Sequence, residues 1–412
     1  MPIGRVWRYW LGLAAAAGLA AQTGAPARTE SSMGNLAPIM RSIQKETDYR
    51  LAYRNRGRLN VEEWRRRGRA EVARALSYAP RTVPLDLRVE GRRAREGYEL
   101  RKISFAGSPH YRIPAYLLVP TGGKGPYPGV VALHDHGAYF FHGKEKLVEL
   151  EGEQPALTAF KKGAYGGRSY AGELARRGYV VLVIDAFYWG ERRMQFAQMP
   201  EDLRERLGKL EPAQAEYVTV MNRYLRERVY ELNSTLALSG ATWLGIMNYD
   251  DRRSVDLLAS LPEVDARRLG CVGLSIGGYR ATYLMGMDPR LRASVIVGWM
   301  TALGTTLDIP HTVAAGLPDA DGLHAALDHP DVASLGAPDC ALFVQDCGRD
   351  RLFTRAGMEQ AIGTLRAVYA DLGHPERFTA KFYDVPHQFN AAMQDEAFGW
   401  LDQWLKPGGG RP

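Results

Sequence analysis

The sequence predicts an α/β fold with a mostly parallel central sheet flanked by helices. Short apolar runs at residues 130–133, 179–185, 293–298 and 340–345 have the length and composition of buried strands. Segments between them place apolar residues at three- and four-residue steps, which is typical of helices. The strand-to-helix junction at residues 272–279 carries the motif Gly-x-Ser-x-Gly-Gly. These observations together indicate that strands alternate with helices along the chain, with a functional turn at one edge of the sheet.

That junction makes Ser275 a candidate nucleophile. A serine at a sharp strand-to-helix turn adopts a strained backbone conformation, and glycines flank it because side chains there would collide with the neighbouring elements. The turn exposes the Ser275 hydroxyl. The backbone N–H of Ile276 and the positive end of the following helix point to the space where an oxyanion would form, so Ile276 is a candidate oxyanion donor.

Two later loops supply the base and the acid that a serine nucleophile needs. His387 follows the last predicted strand, at residues 378–383, and is the candidate base. The preceding strand ends at Asp346, with Asp350 in the loop beyond it, and either carboxylate could orient the histidine. The chain order Ser, acid, His is the one that belongs to this architecture.

These segments resemble the α/β-hydrolase superfamily, and more narrowly its dienelactone-hydrolase and acetyl-xylan-esterase-like branch. The likeness spans most of residues 98–405 and is carried by residues 112–120, 128–137, 181–187 and 272–279 and by the Asp350 and His387 loops. The resemblance implies an α/β-hydrolase fold, hydrolysis of carboxylic esters by a serine nucleophile, and no metal or organic cofactor. It favours Asp350 over Asp346, because Asp350 begins an Asp-x-Leu-Phe pattern seen in that branch.

The loop after residues 130–133 departs from the resembled pattern. His134-Asp135-His136-Gly137 stands where His-Gly-Gly or His-Gly-x is usual. By topology this loop lies at the same sheet edge as Ser275, and the backbone N–H of His136 is the candidate for the second oxyanion donor. His134, Asp135 and His136 could instead ligate a metal, although three closely spaced residues on one loop do not converge easily on one ion.

Aromatic residues in loops after three strands are candidates for contact with the substrate: Tyr139, Trp189 and Trp299. Packing in the core is the alternative interpretation, since aromatic side chains are mostly buried wherever they occur. Three histidines of the loop-rich segment 310–338 are predicted to lie on the surface: His311, His324 and His329.

Two segments are predicted as additions to the catalytic domain at residues 98–405. Residues 195–248 exceed what one crossover needs, and their apolar spacing predicts two amphipathic helices that form a lid or cleft wall. Residues 22–97 are predicted to be a linker and a helical extension. Its arginine-rich run at residues 65–69 could bind a polyanion, but interleaved glutamates are more typical of a solvated helix face.

Residues 1–21 have the pattern of a secretory signal peptide. Arg5 and Arg8 precede a short apolar run and small residues, and cleavage is expected before Gln22, with a later site after Ala27 as the alternative. A membrane-anchoring helix is the alternative, although the run falls short of the roughly 20 residues that a span needs. We therefore expect an exported, soluble protein that ends in a short tail at residues 406–412.

The charge of the chain constrains its partners. The formal net charge of +7 falls to +5 once Arg5 and Arg8 are removed with the signal peptide. This mild excess permits attraction to acidic polysaccharide and does not indicate nucleic acid as a partner. We expect a small-molecule or carbohydrate ester as the substrate, with no cofactor, no nucleic acid and no membrane partner after signal cleavage.

Two other functions remain open. A peptidase of the prolyl-oligopeptidase kind shares the motif Gly-x-Ser-x-Gly-Gly-Tyr, but residues 22–97 are too few for the propeller that precedes the catalytic domain in that family. The fold could also serve as a non-catalytic binding module. Such modules usually lose a member of the triad, whereas Ser275, Asp350 and His387 are all present here.

Overall fold

A nine-stranded sheet forms the centre of the computed structural model, which describes residues 33–307, 320 and 322–406. The predicted signal peptide and residues 407–412 of the predicted tail lie outside the described residues. The strands are β1 (Arg88–Arg95), β2 (Tyr98–Ser108), β3 (Tyr111–Pro120), β4 (Tyr127–Leu133), β5 (Val180–Ile184), β6 (Val264–Leu274), β7 (Leu291–Val297), β8 (Ala341–Cys347) and β9 (Phe378–Tyr383).

The sheet has the order β1-β2-β3-β5-β4-β6-β7-β8-β9. From β5 to β9 in that order all neighbours are parallel, whereas β1, β2 and β3 pair antiparallel. Every residue of β5 and β8 is buried. Because helices cover both faces, these parallel strands read as continuous apolar runs. The mostly parallel sheet predicted from the sequence is confirmed.

The helices lie on both faces of this sheet. They are α1 (Ala37–Thr47), α2 (Val61–Leu76), α3 (Pro155–Tyr165), α4 (Tyr170–Arg176), α5 (Glu201–Leu207), α6 (Ala215–Glu227), α7 (Val229–Leu238), α8 (Trp243–Ser260), α9 (Ile276–Met287), α10 (His329–Ser334), α11 (Arg355–Asp371) and α12 (Ala391–Leu405). We call the face that α2, α8, α9 and α11 cover, with Trp243 and Tyr279 in its core, the α9 face. The opposite face, covered by α3, α4 and α12 with Tyr165 and Phe398, is the α12 face. Among the described helices, none carries an apolar stretch that could cross a bilayer.

The segment 195–248 contains three complete helices, α5, α6 and α7, and the start of α8, where the sequence predicts two helices. Leu207 of α5 and Tyr217 of α6 pack with Phe141, which belongs to the loop after β4. The Asn222 side chain accepts a hydrogen bond from the backbone N–H of Phe141 at 2.9 Å. The insertion is thereby attached to the loop that follows β4.

The N-terminal segment contributes α1, α2 and β1. Trp64 of α2 is fully buried in the core of the α9 face. Arg66 pairs with Glu63 at the surface, as predicted for a solvated helix face. Arg65 is buried, however, and Arg69 donates hydrogen bonds to carbonyl oxygens of two other elements. The arginine-rich run therefore also docks α2 on the rest of the protein.

The histidines of segment 310–338 do not all lie on the surface, and the prediction is wrong for His329. This residue begins α10 and is 1% exposed, with its ring 5.1 Å from that of Tyr279 on α9. His324 is half-buried beside it, at a ring distance of 5.5 Å. The short helix α10 turns the His329 ring toward α9, and the sequence pattern around it gives no periodic signal of this. His311 lies outside the described residues.

Candidate active site

β6 ends in a turn that holds Ser275 in a strained backbone conformation. Ser275 has φ 60° and ψ −124°, a combination that residues with a side chain rarely adopt. Its N–H donates to the carbonyl oxygen of Val297 on β7 at 2.9 Å, and α9 begins at the next residue, Ile276. The backbone here has the geometry that the sequence motif predicts.

Two glycines allow α9 to begin so close to the sheet. A Cβ atom on Gly277 would collide with the carbonyl oxygen of Leu133 at the end of β4 and would lie 3.1 Å from that of His134. A Cβ atom on Gly273 would lie 2.8 Å from the Gly277 Cα. The N–H groups of the first helical turn, beginning with that of Ile276, have no acceptor within the helix, and the helix dipole favours negative charge beside them.

Asp350 and His387 are in direct contact. Nδ1 of His387 lies 2.6 Å from Oδ2 of Asp350. Oδ1 of the same carboxylate accepts a hydrogen bond from the N–H of Leu352 at 2.8 Å, which fixes its orientation. The Asp350 side chain is only 1% exposed and the His387 side chain is 26% exposed, so the carboxylate is shielded from solvent while the ring is partly accessible. A carboxylate on Nδ1 keeps the proton on that nitrogen and leaves Nε2 available as a base.

The ring of His387 lies beside the strand ends that also hold Ser275. A Cβ atom on Gly298 would be 3.2 Å from Cε1 of this ring and 3.5 Å from the side chain of Leu274. Leu274 precedes Ser275, and Gly298 follows the residue that accepts the N–H of Ser275. Nε2 of His387 is buried and has no hydrogen-bond partner among the described residues. The structure thus gathers the two residues at one sheet edge without a hydrogen bond between their side chains.

Asp346, the other candidate acid, lies within β8 and is fully buried. Burial raises the pKa of this carboxyl well above its ordinary value, and the negative charge of Asp350 raises it further. The neutral acid is therefore the favoured form of Asp346. Asp346 and Asp350 were both candidates to orient His387. In the structure His387 pairs with Asp350.

The loop after β4 contacts the first turn of α9 through the carbonyl oxygens of Leu133 and His134. The His134 ring uses both of its nitrogens: Nε2 accepts the N–H of Ala186 at 3.1 Å, and Nδ1 lies 2.9 Å from the carbonyl oxygen of Asp135. Burial lowers the pKa of this histidine well below its ordinary value. Neither nitrogen is left for a metal, which weakens the alternative of a metal site on His134, Asp135 and His136.

The side chain of His136 points into the protein. Its ring lies 5.1 Å from those of Phe140 and Trp189, and its Nδ1 accepts the N–H of Ala138 at 2.9 Å. Burial lowers the pKa of His136 to about 3, and the positive charges of Lys146 and Arg226 act in the same direction. The ring is therefore neutral, and a role for His136 at the sheet edge falls to its backbone N–H.

The three aromatic candidates for substrate contact differ in exposure. Trp189 is 0% exposed and Trp299 is 2% exposed, because both pack against other rings beneath the surface. The core-packing interpretation therefore describes these two residues in this structure, and their contact with a substrate stays a prediction. Tyr139 is half-buried and stacks on Phe160 at a ring distance of 4.8 Å.

Sequence reasoning missed two buried lysines next to these loops. The Lys144 ammonium contacts Glu145, Asp185 and Glu191 at 2.8, 2.7 and 2.7 Å. These three carboxylates are close enough together to hold a metal ion, but the ammonium already occupies the position of a cation. Burial opposes the charge on Lys144, yet the three carboxylates raise its pKa well above the ordinary value. Lys146, two residues on, is also fully buried.

Nothing in the sequence pattern distinguishes these lysines from surface lysines, which are the usual kind. The available signal was indirect. Asp185 follows a fully apolar strand, and a buried carboxylate at such a position needs a cationic partner.

Comparison with known proteins gives one relative in sequence and many in structure, while no protein-family model matches. The chain is 25% identical over 346 residues to "Putative hydrolase YtaP" of Bacillus subtilis (strain 168), which covers 82% of this chain and 98% of that protein. The crystal structure of a "putative acetyl xylan esterase" from Bacteroides fragilis has a TM-score of 0.62 and 17% identity, covering 84% of this chain and 81% of the other. A glucuronoyl esterase from Solibacter usitatus has a TM-score of 0.56 and 13% identity, covering 85% and 93%. The sheet order, the strained turn after β6 and these likenesses together show that the chain is a member of the α/β-hydrolase fold.

Proposed function

We propose that this protein is a serine esterase that hydrolyses carboxylic esters through Ser275, His387 and Asp350. The observation that carries the proposal is the contact of His387 with Asp350 at the sheet edge where Ser275 occupies its strained turn. A buried carboxylate on one ring nitrogen prepares the other nitrogen to accept a proton. The names of the similar proteins, a hydrolase and two esterases, support the same chemistry.

In the proposed reaction, the Ser275 hydroxyl attacks the acyl carbon while Nε2 of His387 takes its proton. The imidazolium, stabilised by Asp350, then returns the proton to the leaving alcohol, and water hydrolyses the acyl-enzyme by the same route. The N–H groups of Ile276 and His136 are the proposed donors to the oxyanion. Each such donor is worth about 2.7–4 kcal/mol of transition-state stabilisation.

We propose short acyl esters as substrates, including acetylated carbohydrate. The support is the likeness to structures named as an acetyl xylan esterase and a glucuronoyl esterase. Tyr139, the one aromatic candidate that is half-buried and not fully buried, is the proposed contact for a sugar or acyl group. The helical insertion is proposed as a wall of the same cleft, because it is attached to the loop that contains Tyr139.

The proposal is tested with nitrophenyl esters from acetate to octanoate, with acetylated xylan, and with a fluorophosphonate that labels activated serines. We expect the wild-type protein to hydrolyse the short esters and to be labelled. Ser275→Ala should remove the labelling and lower kcat on the order of 10⁶-fold. Ser239→Ala, at an exposed position, is the matched control and should change neither. A folded wild-type protein that is not labelled would instead indicate a non-catalytic binding module.

We also propose that the protein is exported, with cleavage near Gln22. The support is the charge and apolar pattern of residues 1–21. Expression with its own N-terminus in a bacterial host, followed by mass spectrometry of the secreted or periplasmic fraction, tests this. Recovery of the uncleaved chain from the cytoplasm alone would contradict it.

A further inference from the structure

Lys146 is a fully buried lysine whose ammonium group contacts the backbone of the loop after β4. Its Nζ donates to the carbonyl oxygen of Asp135 at 2.9 Å and to that of His136 at 3.2 Å. It also lies 3.6 Å from the Asp135 carboxylate and 5.0 Å from the centre of the Phe160 ring. A buried ammonium needs such partners, and here two of them are consecutive peptide carbonyls.

These two hydrogen bonds fix the direction of the N–H groups on the other side of each peptide. In a trans peptide unit the C=O and the following N–H point in opposite directions within one plane. Because the Asp135 carbonyl points to Lys146, the N–H of His136 points away from Lys146. The same holds for the N–H of Gly137, since the His136 carbonyl also points to Lys146.

The direction away from Lys146 is toward the first turn of α9. Phe160, which contacts the Lys146 ammonium, and Leu147, the next residue, pack on the α12 face of the sheet. Ile276 packs on the α9 face, and a Cβ atom on Gly277 would collide with the carbonyl oxygen of Leu133 at the end of β4. The ammonium thus contacts the loop from the α12 face of the sheet. The backbone N–H groups of His136 and Gly137 point to the α9 face, where the Ser275 turn lies.

The loop needs this support because its backbone is strained. Gly137 and Ala138 have φ values of 56° and 51°, which only glycine adopts readily. The His136 carbonyl also accepts the indole N–H of Trp189 at 3.4 Å and the N–H of Tyr139 at 3.1 Å. The Asp135 carbonyl also accepts the Nδ1–H of His134 at 2.9 Å, since Nε2 of that ring is the acceptor for Ala186. Lys146 is the charged donor that joins the Asp135 and His136 carbonyls, so its loss removes the contact that holds the two peptides relative to each other.

From these contacts we infer that Lys146 is a positioning residue for ester hydrolysis, which holds the N–H of His136 in place to stabilise the oxyanion. The inference rests on the proposed function and adds to it a residue that touches neither substrate nor nucleophile. Lys146 acts through the orientation of one peptide group. Its loss should therefore reduce the stabilisation of the transition state more than it reduces the binding of the ester.

The test compares Lys146→Met with Lys161→Met, a matched control. Lys161 is another buried lysine, which donates to the carbonyl oxygen of Val148 at 2.7 Å and contacts Glu153, and neither the Asp135 nor the His136 carbonyl is among its partners. We expect Lys146→Met to lower kcat for nitrophenyl acetate by roughly 10²-fold, the effect of losing one oxyanion donor, while KM changes little. The affinity for phenylboronic acid, which forms a tetrahedral adduct with an active-site serine, should fall in parallel. Lys161→Met should keep the wild-type kcat and boronate affinity.

Each outcome bears on the inference. Unchanged kcat and boronate affinity in a folded Lys146→Met protein would overturn it, as would equal losses in both lysine variants. If Lys146→Met does not fold, Lys146→Gln, which is uncharged and one atom shorter, takes its place. Wild-type kcat and boronate affinity in that variant, with the hydrogen bonds to both carbonyls lost in its crystal structure, would overturn the inference. A crystal structure of Lys146→Met with the Asp135–His136 peptide in its present orientation would do the same. A wild-type protein without esterase activity or labelling would refute the proposed function. The crystal structure of Lys146→Met would then show only whether Lys146 orients the Asp135–His136 peptide.

Discussion

Two carboxyl groups near the candidate base, Asp346 and Asp350, have opposite electrostatic surroundings. Asp350 receives a backbone N–H on one oxygen and the His387 ring on the other, so both of its oxygens have polar partners. Asp346 is buried next to Asp350, and its pKa is raised well above the ordinary value. Asp350 therefore orients a histidine, whereas the neutral acid is the favoured form of Asp346.

This contrast gives a prediction for two matched variants. Asp350→Asn should lower kcat/KM for nitrophenyl acetate on the order of 10⁴-fold. The amide favours the wrong tautomer of His387, and it carries no charge to stabilise the imidazolium. Asp346→Asn should change kcat/KM by less than about tenfold, since an amide resembles the neutral acid already present. Steady-state kinetics of both variants measure this. A larger loss in Asp346→Asn would assign the role of triad acid to Asp346.

Residues with a local sequence signature were predictable, and residues placed by tertiary burial were not. Ser275 is specified by the glycines around it, and the loop of His387 by the strand before it. Lys146 has no such signature, because lysine in a loop is ordinarily solvated. Trp189 and Trp299 were located correctly after their strands. Whether their rings face the cleft or the core depends on neighbouring helices that the local sequence does not describe.

At the scale of elements, the contact between β4 and α9 depends on the absence of a side chain at Gly277. Gly277→Ala should lower the free energy of unfolding by about 1–3 kcal/mol, because the new methyl group collides with the backbone of β4. Gly363→Ala, in the exposed middle of α11 with nothing within 4 Å of its Cβ, should raise stability by up to about 1 kcal/mol. Urea unfolding of both variants measures the difference. Equal effects in the two would mean that the contact between β4 and α9 relaxes freely.

The N-terminus of α10 gives a prediction for pH. Asp328 caps this helix, accepting the N–H of His329 at 2.8 Å and that of Leu303 at 2.9 Å. Burial raises its pKa to about 7, the nearby Asp331 also raises it, and Arg54 acts in the opposite direction. Because the folded pKa lies above the unfolded one, the protonated carboxyl stabilises the fold at low pH. That contribution is lost as the pH rises through about 7.

We therefore expect the stability of the wild type, relative to Asp328→Asn, to fall by roughly 2–3 kcal/mol between pH 5 and pH 8. The asparagine keeps an oxygen that can accept both N–H groups, but it does not titrate. Denaturant unfolding at several pH values in that interval measures the difference. Parallel pH profiles for the two proteins would show that Asp328 is ionised throughout.

Elements with a clear apolar period were predictable, and elements determined by their neighbours were not. The parallel strands and the β2–β3 hairpin follow from their sequence patterns. β1 was missed because most of its residues are charged or small and exposed, as edge strands often are. α7 was missed because it buries only Val229 and thus shows no apolar stripe.

At the scale of the whole molecule, the N-terminal segment is packed into the main fold. Trp64 of α2 lies in the core of the α9 face, and its indole N–H donates to the carbonyl oxygen of Leu51 at 2.8 Å. The last residue of α2, Leu76, accepts the hydroxyl of Thr242 at the start of α8 at 2.7 Å. A Cβ atom on Gly68 would touch the side chain of Leu335 at 2.5 Å, so α2 approaches that residue closely. The extension therefore shares a core with the elements that hold Ser275.

A shared core predicts that α2 and the sheet unfold together. Trp64→Ala should lower the free energy of unfolding by about 3–5 kcal/mol, because it leaves a large cavity. Far-UV circular dichroism and tryptophan fluorescence should report the same shifted transition, since one cooperative unit unfolds at once. Leu238→Ala, at a position 92% exposed, is the control and should shift stability by less than about 0.5 kcal/mol. If the extension were instead an independent domain, Trp64→Ala would split the unfolding into two transitions and leave the second at the wild-type midpoint.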